Sequence, residues 1–394
     1  MSRIALTNGQ ILTPNGSFVT AALVMEGSKI SGIATGELPG DIRRIDVNGC
    51  YVVPGFIDTH THGCGGRNFM EGSREAISAI SRQMTRSGVT SCLVTTTSAP
   101  LESLLPVLEY AVFCKGNRRS GELEILGVHM EGPFINPKFR GAHSEPYIRP
   151  ATVPELEALL AAAGPALRVV TLAPEMPGGI ETVRFFTERG VNVSIGHTGA
   201  TYEETKLALS SGASRGTHLF NAMPGIHHRD PGPVTALLED SNAFLELIVD
   251  GYHIHPAVVG MVVRQTGPHR VVLITDSADV SGLGEGRFRR WEGTEVIVKN
   301  GKCSTHGGSL AGSVLRMDQG VKNLVEQVGL SLTLALRMAS ENPARSVGVY
   351  DRKGSLAPGK DADVVVLRKD LSVLLTIAGG LIAYDAKVEG GFPS

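Results

Sequence analysis

"GFIDTHTHGCGG", residues 55–66, places two histidines one residue apart at the end of an apolar run that reads as a β-strand. Alternate side chains on a strand share a face, so His60 and His62 project the same way, framed by Asp58 and Thr61. A pair of histidines aimed together asks what else in the chain is aimed at the same place.

Seven further apolar runs of strand length follow, at 89–96, 125–131, 168–173, 191–197, 214–219, 244–250 and 270–276, after the first at 55–60. Between them the period changes to a helical one, in SREAISAISRQMTRSG, PLESLLPVLEYAVFC, ATVPELEALLAAAG and TYEETKLALSSG. Eight strands alternating with helices predict an α/β fold, a (β/α)8 TIM barrel over residues 54–345. Short β-like runs separated by turns fill residues 1–53, and DADVVVLRKD, LSVLLTIAGG and LIAYDAKVEGG repeat that texture within 346–394. The two chain ends are therefore expected to build one small β domain, a β-sandwich, together.

Nearly every predicted strand ends in a residue able to bind metal or move a proton: His60 and His62, Thr95 to Thr97, His129 and Glu131, Glu175, His197, His218, Asp250 and Asp276. In a barrel these ends converge on the one face where active sites are built. Glu131, His197 and His218 would supply three ligands to one hydrolytic divalent ion, and His60 with His62 could hold a second, with Glu131 bridging. Asp276 could take a proton from the attacking water and deliver it to a leaving nitrogen. His143, in RGAHSEP, could polarise the carbonyl under attack. Taken singly, each residue has a duller reading. An isolated histidine is usually hydrogen-bonded structure, an aspartate before serine commonly caps a helix, and Cys64 reads as a small loop residue. The joint pattern in barrel order outweighs those readings.

Composition narrows the ligand. With 37 Lys and Arg against 39 Asp and Glu in 394 residues, the formal charge of -2 leaves no polycationic surface for nucleic acid. A small molecule is the expected partner. No apolar run approaches the ~20 residues of a membrane helix, and MSRIALTNGQ has no secretory pattern. Five scattered cysteines without a CxxC pair suit a reducing compartment, so a cytoplasmic location is expected.

The motif PGFIDTHTHG, followed by a barrel and by GSLAPGKDADVVVL, resembles the amidohydrolase superfamily. More narrowly, GVHMEGPFINPKFRGAH, IGHTGATYEE, GTHLFNAMPGIHHRDPG, VDGYHIHP, ITDSADVSG and SLAGS resemble the N-acetylglucosamine-6-phosphate deacetylases, over essentially the whole chain. The resemblance implies hydrolysis of the acetamide of N-acetyl-D-glucosamine 6-phosphate in amino-sugar metabolism. The alternatives are the N-acetylgalactosamine 6-phosphate substrate or a cyclic amide. It implies Glu131, His197 and His218 as metal ligands, Asp276 and His143 as catalytic groups, and Zn2+ as the expected ion, one or two per subunit. It further places Ala142, Asn221, Ala222, Asp250, Gly251, Tyr252, His253, Leu310, Ala311 and Gly312 around the substrate. Arg229 is implied at the phosphate, reaching the neighbouring active site of a homodimer.

Overall fold

The computed structural model describes residues 3–388. Its centre is a parallel sheet of eight strands: β1 (Phe56–Asp58), β2 (Val89–Thr96), β3 (Glu124–Glu131), β4 (Leu167–Leu172), β5 (Asn192–Ile195), β6 (Arg215–Gly216), β7 (Phe244–Ile248) and β8 (Val271–Ile274). Each strand pairs with its sequence neighbour, from β8 through to β1. All eight predicted strands are present, most of them trimmed by one to four residues where the chain bends into the site. Their cores read VVLI, FLELI and VTSCLVTT because both faces are covered, the outer one by amphipathic helices such as Arg74–Thr85 and Met317–Glu326.

The ladder leaves β1 and β8 unpaired with each other along their own length, and the seam closes just beyond them. Asp276 N donates to His60 O at 2.8 Å, His62 N donates to Ser277 O at 3.0 Å, and Thr275 Oγ1 donates to Asp58 Oδ2 at 2.6 Å. The segments carrying the first histidines and the last aspartate therefore also shut the barrel. Asp58 is fully buried, and burial pushes its carboxyl up to about 7 against the hydrogen bonds it accepts.

Strands from both chain ends form a second eight-stranded sheet, as expected. Val364–Leu367 pairs with Tyr51–Pro54 and with Val373–Ala378, while Arg3–Leu12 pairs with Phe18–Glu26. Two pairings are parallel, Arg3–Leu12 with Arg43–Asp46 and with Tyr51–Pro54. Ile11, Leu23, Val52, Val364 and Ile377 make its core. The sequence reading did not anticipate a three-stranded antiparallel sheet, Gly286–Arg289, Glu295–Lys299 and Lys302–Thr305, inserted between β8 and the helix Met317–Glu326.

Candidate active site

Glu131, the last residue of β3, is buried at the rim and gathers five imidazoles. Its Oε1 lies 3.1 Å from the Nε2 atoms of His197 and His218 and 3.3 Å from that of His60. Its Oε2 lies 3.1 Å from His62 Nε2 and 3.2 Å from His143 Nε2. Asp276 Oδ1 closes the group at 3.5 Å from His60 Nε2 and 3.4 Å from His62 Nε2. The shared direction of His60 and His62 is real, although β1 ends at Asp58 and a bend carries both rings inward.

The far nitrogen of each ring tells what its near nitrogen can do. His197 Nδ1 sits 2.8 Å from the Phe139 carbonyl, which can only accept, so the proton is on Nδ1 and the Nε2 lone pair faces Glu131. His60 Nδ1 likewise meets the Glu246 carboxylate at 2.9 Å. His143 is the reverse: the Ser98 backbone N–H donates to its Nδ1 at 3.1 Å, so its single proton is on Nε2, pointing inward. Burial also pushes His143 down to about 4, against the pull of Glu131, so it stays neutral. The site thus holds ligand-type histidines and one inward N–H donor.

These residues fit a divalent cation. His60 Nε2 is buried within 3.5 Å of two carboxylates yet makes no aligned hydrogen bond, and His197 and His218 bring their Nε2 atoms within 3.0 Å of each other. Ligand atoms of His60, His62 and Asp276, and of Glu131, His143 and His197, lie within 4.8 Å of one another. The spot also attracts positive charge. Burial opposes charge on His62, but its contacts with Asp276 and Glu131 hold it up at about 9. Glu131 is held well below the usual carboxylate range by its histidines, despite its burial.

Loops after the strands fix these groups. The 136–143 segment supplies both the Phe139 carbonyl and His143, and Gly141 there packs against His197, where a Cβ would stand 3.2 Å from the ring. Gly312, at φ 69°, lies beside Asp276, whose carbonyl accepts from Ser313 N at 3.0 Å, which brings the 310–312 stretch up to Asp276. His197, His218, Ala222 and Asp276 all adopt positive φ, a strained backbone concentrated at one rim. Glu175 braces the His197 loop by accepting from Asn136 Nδ2 at 2.8 Å and Gly199 N at 2.6 Å.

Other expected residues lie further out. Asn221 Nδ2 holds the His218 carbonyl at 3.1 Å. Asp250 and His253 are paired at 2.6 Å, with Asp250 Oδ1 also accepting from Tyr252 N at 2.9 Å across the turn at Gly251. Tyr252 is exposed and its hydroxyl donates to the Asn300 carbonyl of the inserted sheet. Ala142 is exposed, Leu310 half-buried and Ala311 buried. Arg229 is exposed, with its Nη1 2.8 Å from His228 Nε2. His129 is not part of the cluster: both its nitrogens are bound, to the Thr59 carbonyl at 3.1 Å and to Thr171 Oγ1 at 2.7 Å.

Sequence reasoning missed Arg215 and Glu246, a fully buried ion pair at 2.7 Å behind His60. The available signal was a single carboxylate inside the apolar run FLELIV.

A parallel barrel that collects histidines, a buried glutamate and an aspartate at the carboxyl ends of its strands defines a hydrolase of the metal-dependent type. The model of the amidohydrolase family matches residues 51–383. An N-acetylgalactosamine-6-phosphate deacetylase of Escherichia coli O157:H7 is 39% identical, over 81% of this chain and 84% of its own. An N-acetylglucosamine-6-phosphate deacetylase of Vibrio furnissii is 36% identical, over 92% and 90%. The solved structure of a mutant N-acetyl-D-glucosamine-6-phosphate deacetylase from Mycobacterium smegmatis, in complex with N-acetyl-D-glucosamine-6-phosphate, superposes with a TM-score of 0.90 at 33% identity, covering 97% of this chain and all of that one. The chain belongs to the amidohydrolase family, and its near relatives within it are hexosamine-6-phosphate deacetylases.

Proposed function

We propose that this chain hydrolyses the acetamide of N-acetyl-D-glucosamine 6-phosphate to D-glucosamine 6-phosphate and acetate. The observation that carries the reading is the inward Nε2–H of His143 beside a Glu131 cluster faced by Asp276, on a chain matched along its length by deacetylases. Glu131, His197 and His218 would hold one divalent ion, and His60 and His62 a second shared through Glu131. Nitrogen and oxygen donors of this kind suit Zn2+. When bound, such an ion supplies Lewis-acid polarisation of the carbonyl and acidifies water.

The chain's own residues do the rest. Asp276 removes a proton from water as it attacks the acetamide carbon, then hands that proton to the sugar nitrogen as the C–N bond breaks. His143 Nε2–H donates to the carbonyl oxygen, where negative charge develops. The backbone around Asn221 and Ala222, together with His253 and Arg229, would bind the phosphate, with Ala142, Asp250 to Tyr252 and Leu310 to Gly312 shaping the sugar site. The cytoplasmic assignment is supported by five cysteines that are all free, four of them buried. Among the described residues, no helix is long and apolar enough to cross a membrane.

Acetate release from three sugars tests the reading. N-Acetylglucosamine 6-phosphate should have the highest kcat/KM, the galacto epimer a lower one, and unphosphorylated N-acetylglucosamine almost none. The epimer deserves inclusion because the Escherichia coli relative is named for it. Equal rates with and without phosphate would remove the phosphate site from the reading.

We further infer a homodimer in which Arg229 serves the partner's active site. Its loop, with Ile226, His227 and His228, is exposed and polar-rimmed, and its guanidinium has no carboxylate partner among the described residues. Arg229→Ala and Asp276→Asn chains, each inactive alone, should complement when mixed under exchange. The Arg229→Ala chain of a mixed dimer keeps its own Asp276 and borrows its partner's arginine. With random pairing about a quarter of wild-type sites should recover. Background activity after confirmed exchange would place Arg229 in its own chain's site.

A further inference from the structure

The most costly feature of the barrel interior is unused by the chemistry above. Arg215 on β6 and Glu246 on the adjacent β7 are both completely buried and face each other inside the barrel, with Arg215 Nη2 donating to Glu246 Oε1 at 2.7 Å. A pair of ions sealed from water is weak as a stabilising device, because apolar residues of similar volume hold a core as well. The same face carries apolar side chains elsewhere, since Ile248 follows Glu246 by two residues and Val272 and Ile274 lie beside them on β8, all buried. The pair therefore calls for a reason beyond packing.

That reason lies on the other oxygen. Glu246 Oε2 is 2.9 Å from His60 Nδ1 and accepts from the His218 backbone N–H at 3.3 Å. Arg215 Nη2 also reaches Thr59 Oγ1 at 3.2 Å, next to His60 in the chain. One carboxylate, anchored by one guanidinium, thus holds two of the segments that carry histidines to Glu131. A carboxylate paired with an arginine offers only acceptors, so a neutral His60 must keep its proton on Nδ1 and present a bare Nε2 to Glu131 and Asp276.

A rival use of the same atoms fails. His60, His129 and Glu246 also lie close enough together to suggest an ion of their own. His129 has no free lone pair for it. Its Nδ1–H is committed to the Thr59 carbonyl, and its Nε2 accepts from Thr171 Oγ1, itself hydrogen-bonded to Thr217 Oγ1 at 2.8 Å. The chain of donors is full.

We propose that Glu246, anchored by Arg215, is a positioning residue that locks His60 in its Nδ1–H tautomer, and that this lock sets the affinity of the His60–His62 position for a divalent cation. The proposal rests on the reading of His60 as a ligand of that ion. It predicts a pair of residues that touches neither substrate nor ion yet controls how many ions are held.

Two measurements test it. In metal-free wild-type protein labelled with 15N-histidine, the His60 signal, assigned by its loss in His60→Asn, should show a protonated Nδ1. An Nδ1 without a proton would overturn the proposal whatever any variant does. In the double variant Arg215→Met with Glu246→Gln, which leaves no lone buried charge, zinc titration of the metal-free protein should show one ion bound as in wild type. The Kd of the other should rise about 10- to 100-fold. Unchanged Kd values for both ions would also overturn it. If the double variant does not fold, Glu246→Gln alone, which keeps the shape of the side chain, carries the same titration. Failure of the underlying reading looks different: His60→Asn, with Arg215 and Glu246 intact, would then bind as many zinc ions as wild type, as tightly.

Discussion

Asp276→Asn is expected to lower kcat for acetate release by about 10³-fold, within the range of general acid–base contributions, while KM and metal content stay near wild type. The substitution keeps the size of the side chain and removes only its ability to carry a proton. The position itself should survive, because what holds it is backbone. Asp276 N is bound to the His60 carbonyl at 2.8 Å and its carbonyl accepts from Ser313 N at 3.0 Å, neither of which involves the carboxylate. The carboxylate is ionised: its contacts with His60 and His62 hold it far below the usual range in spite of burial. Steady-state kinetics together with metal analysis decide the matter. A large rise in KM at unchanged kcat would make Asp276 a binding residue instead, and loss of metal would make it chiefly a ligand.

The strands of this barrel were legible because burial on both faces leaves runs such as VTSCLVTT and RVVTLA that cannot be exposed, and because each run stops at a polar residue. The ligand-type residues were legible for the same reason, as breaks in apolar patterns at strand ends. Three things were not. The inserted sheet at 286–305 alternates as β-strands do, but its Phe288 and Trp291 stand among charges and no barrel position was left for it. The orientation of His143 depends on the Ser98 backbone N–H, 45 residues away in the chain, and no spacing rule reports which nitrogen a backbone donor will meet. The Arg215–Glu246 pair joins residues 31 apart whose charges, read singly, suggest solvent. A buried ion pair is visible only once neighbouring strands have been laid side by side, which is why the carboxylate in FLELIV gave a hint but no partner.

Metal-free protein should release acetate at least on the order of 10³-fold more slowly than the metal-loaded form, since a divalent ion is worth several kcal/mol of transition-state charge stabilisation. Activity should return on adding Zn2+. The fold should not be lost with the ion, because the barrel seam is closed by backbone hydrogen bonds at His60, His62, Asp276 and Ser277 rather than through the cluster. Circular dichroism on the metal-free protein checks that point, so that lost activity is not mistaken for unfolding. The two halves of the cluster should then separate. His60→Asn with His62→Asn removes the pair nearest Asp276, yet Glu131, His197 and His218 remain mutually placed, at 3.1 Å from Glu131 Oε1 to each Nε2. Elemental analysis of that variant should find one ion per chain where the parent holds two. If it finds none, the primary site includes His60 or His62, and Glu131, His197 and His218 are not sufficient. Full activity in rigorously metal-free wild-type protein would remove the metal from the reaction altogether, leaving His143 and Asp276 to act on the amide alone.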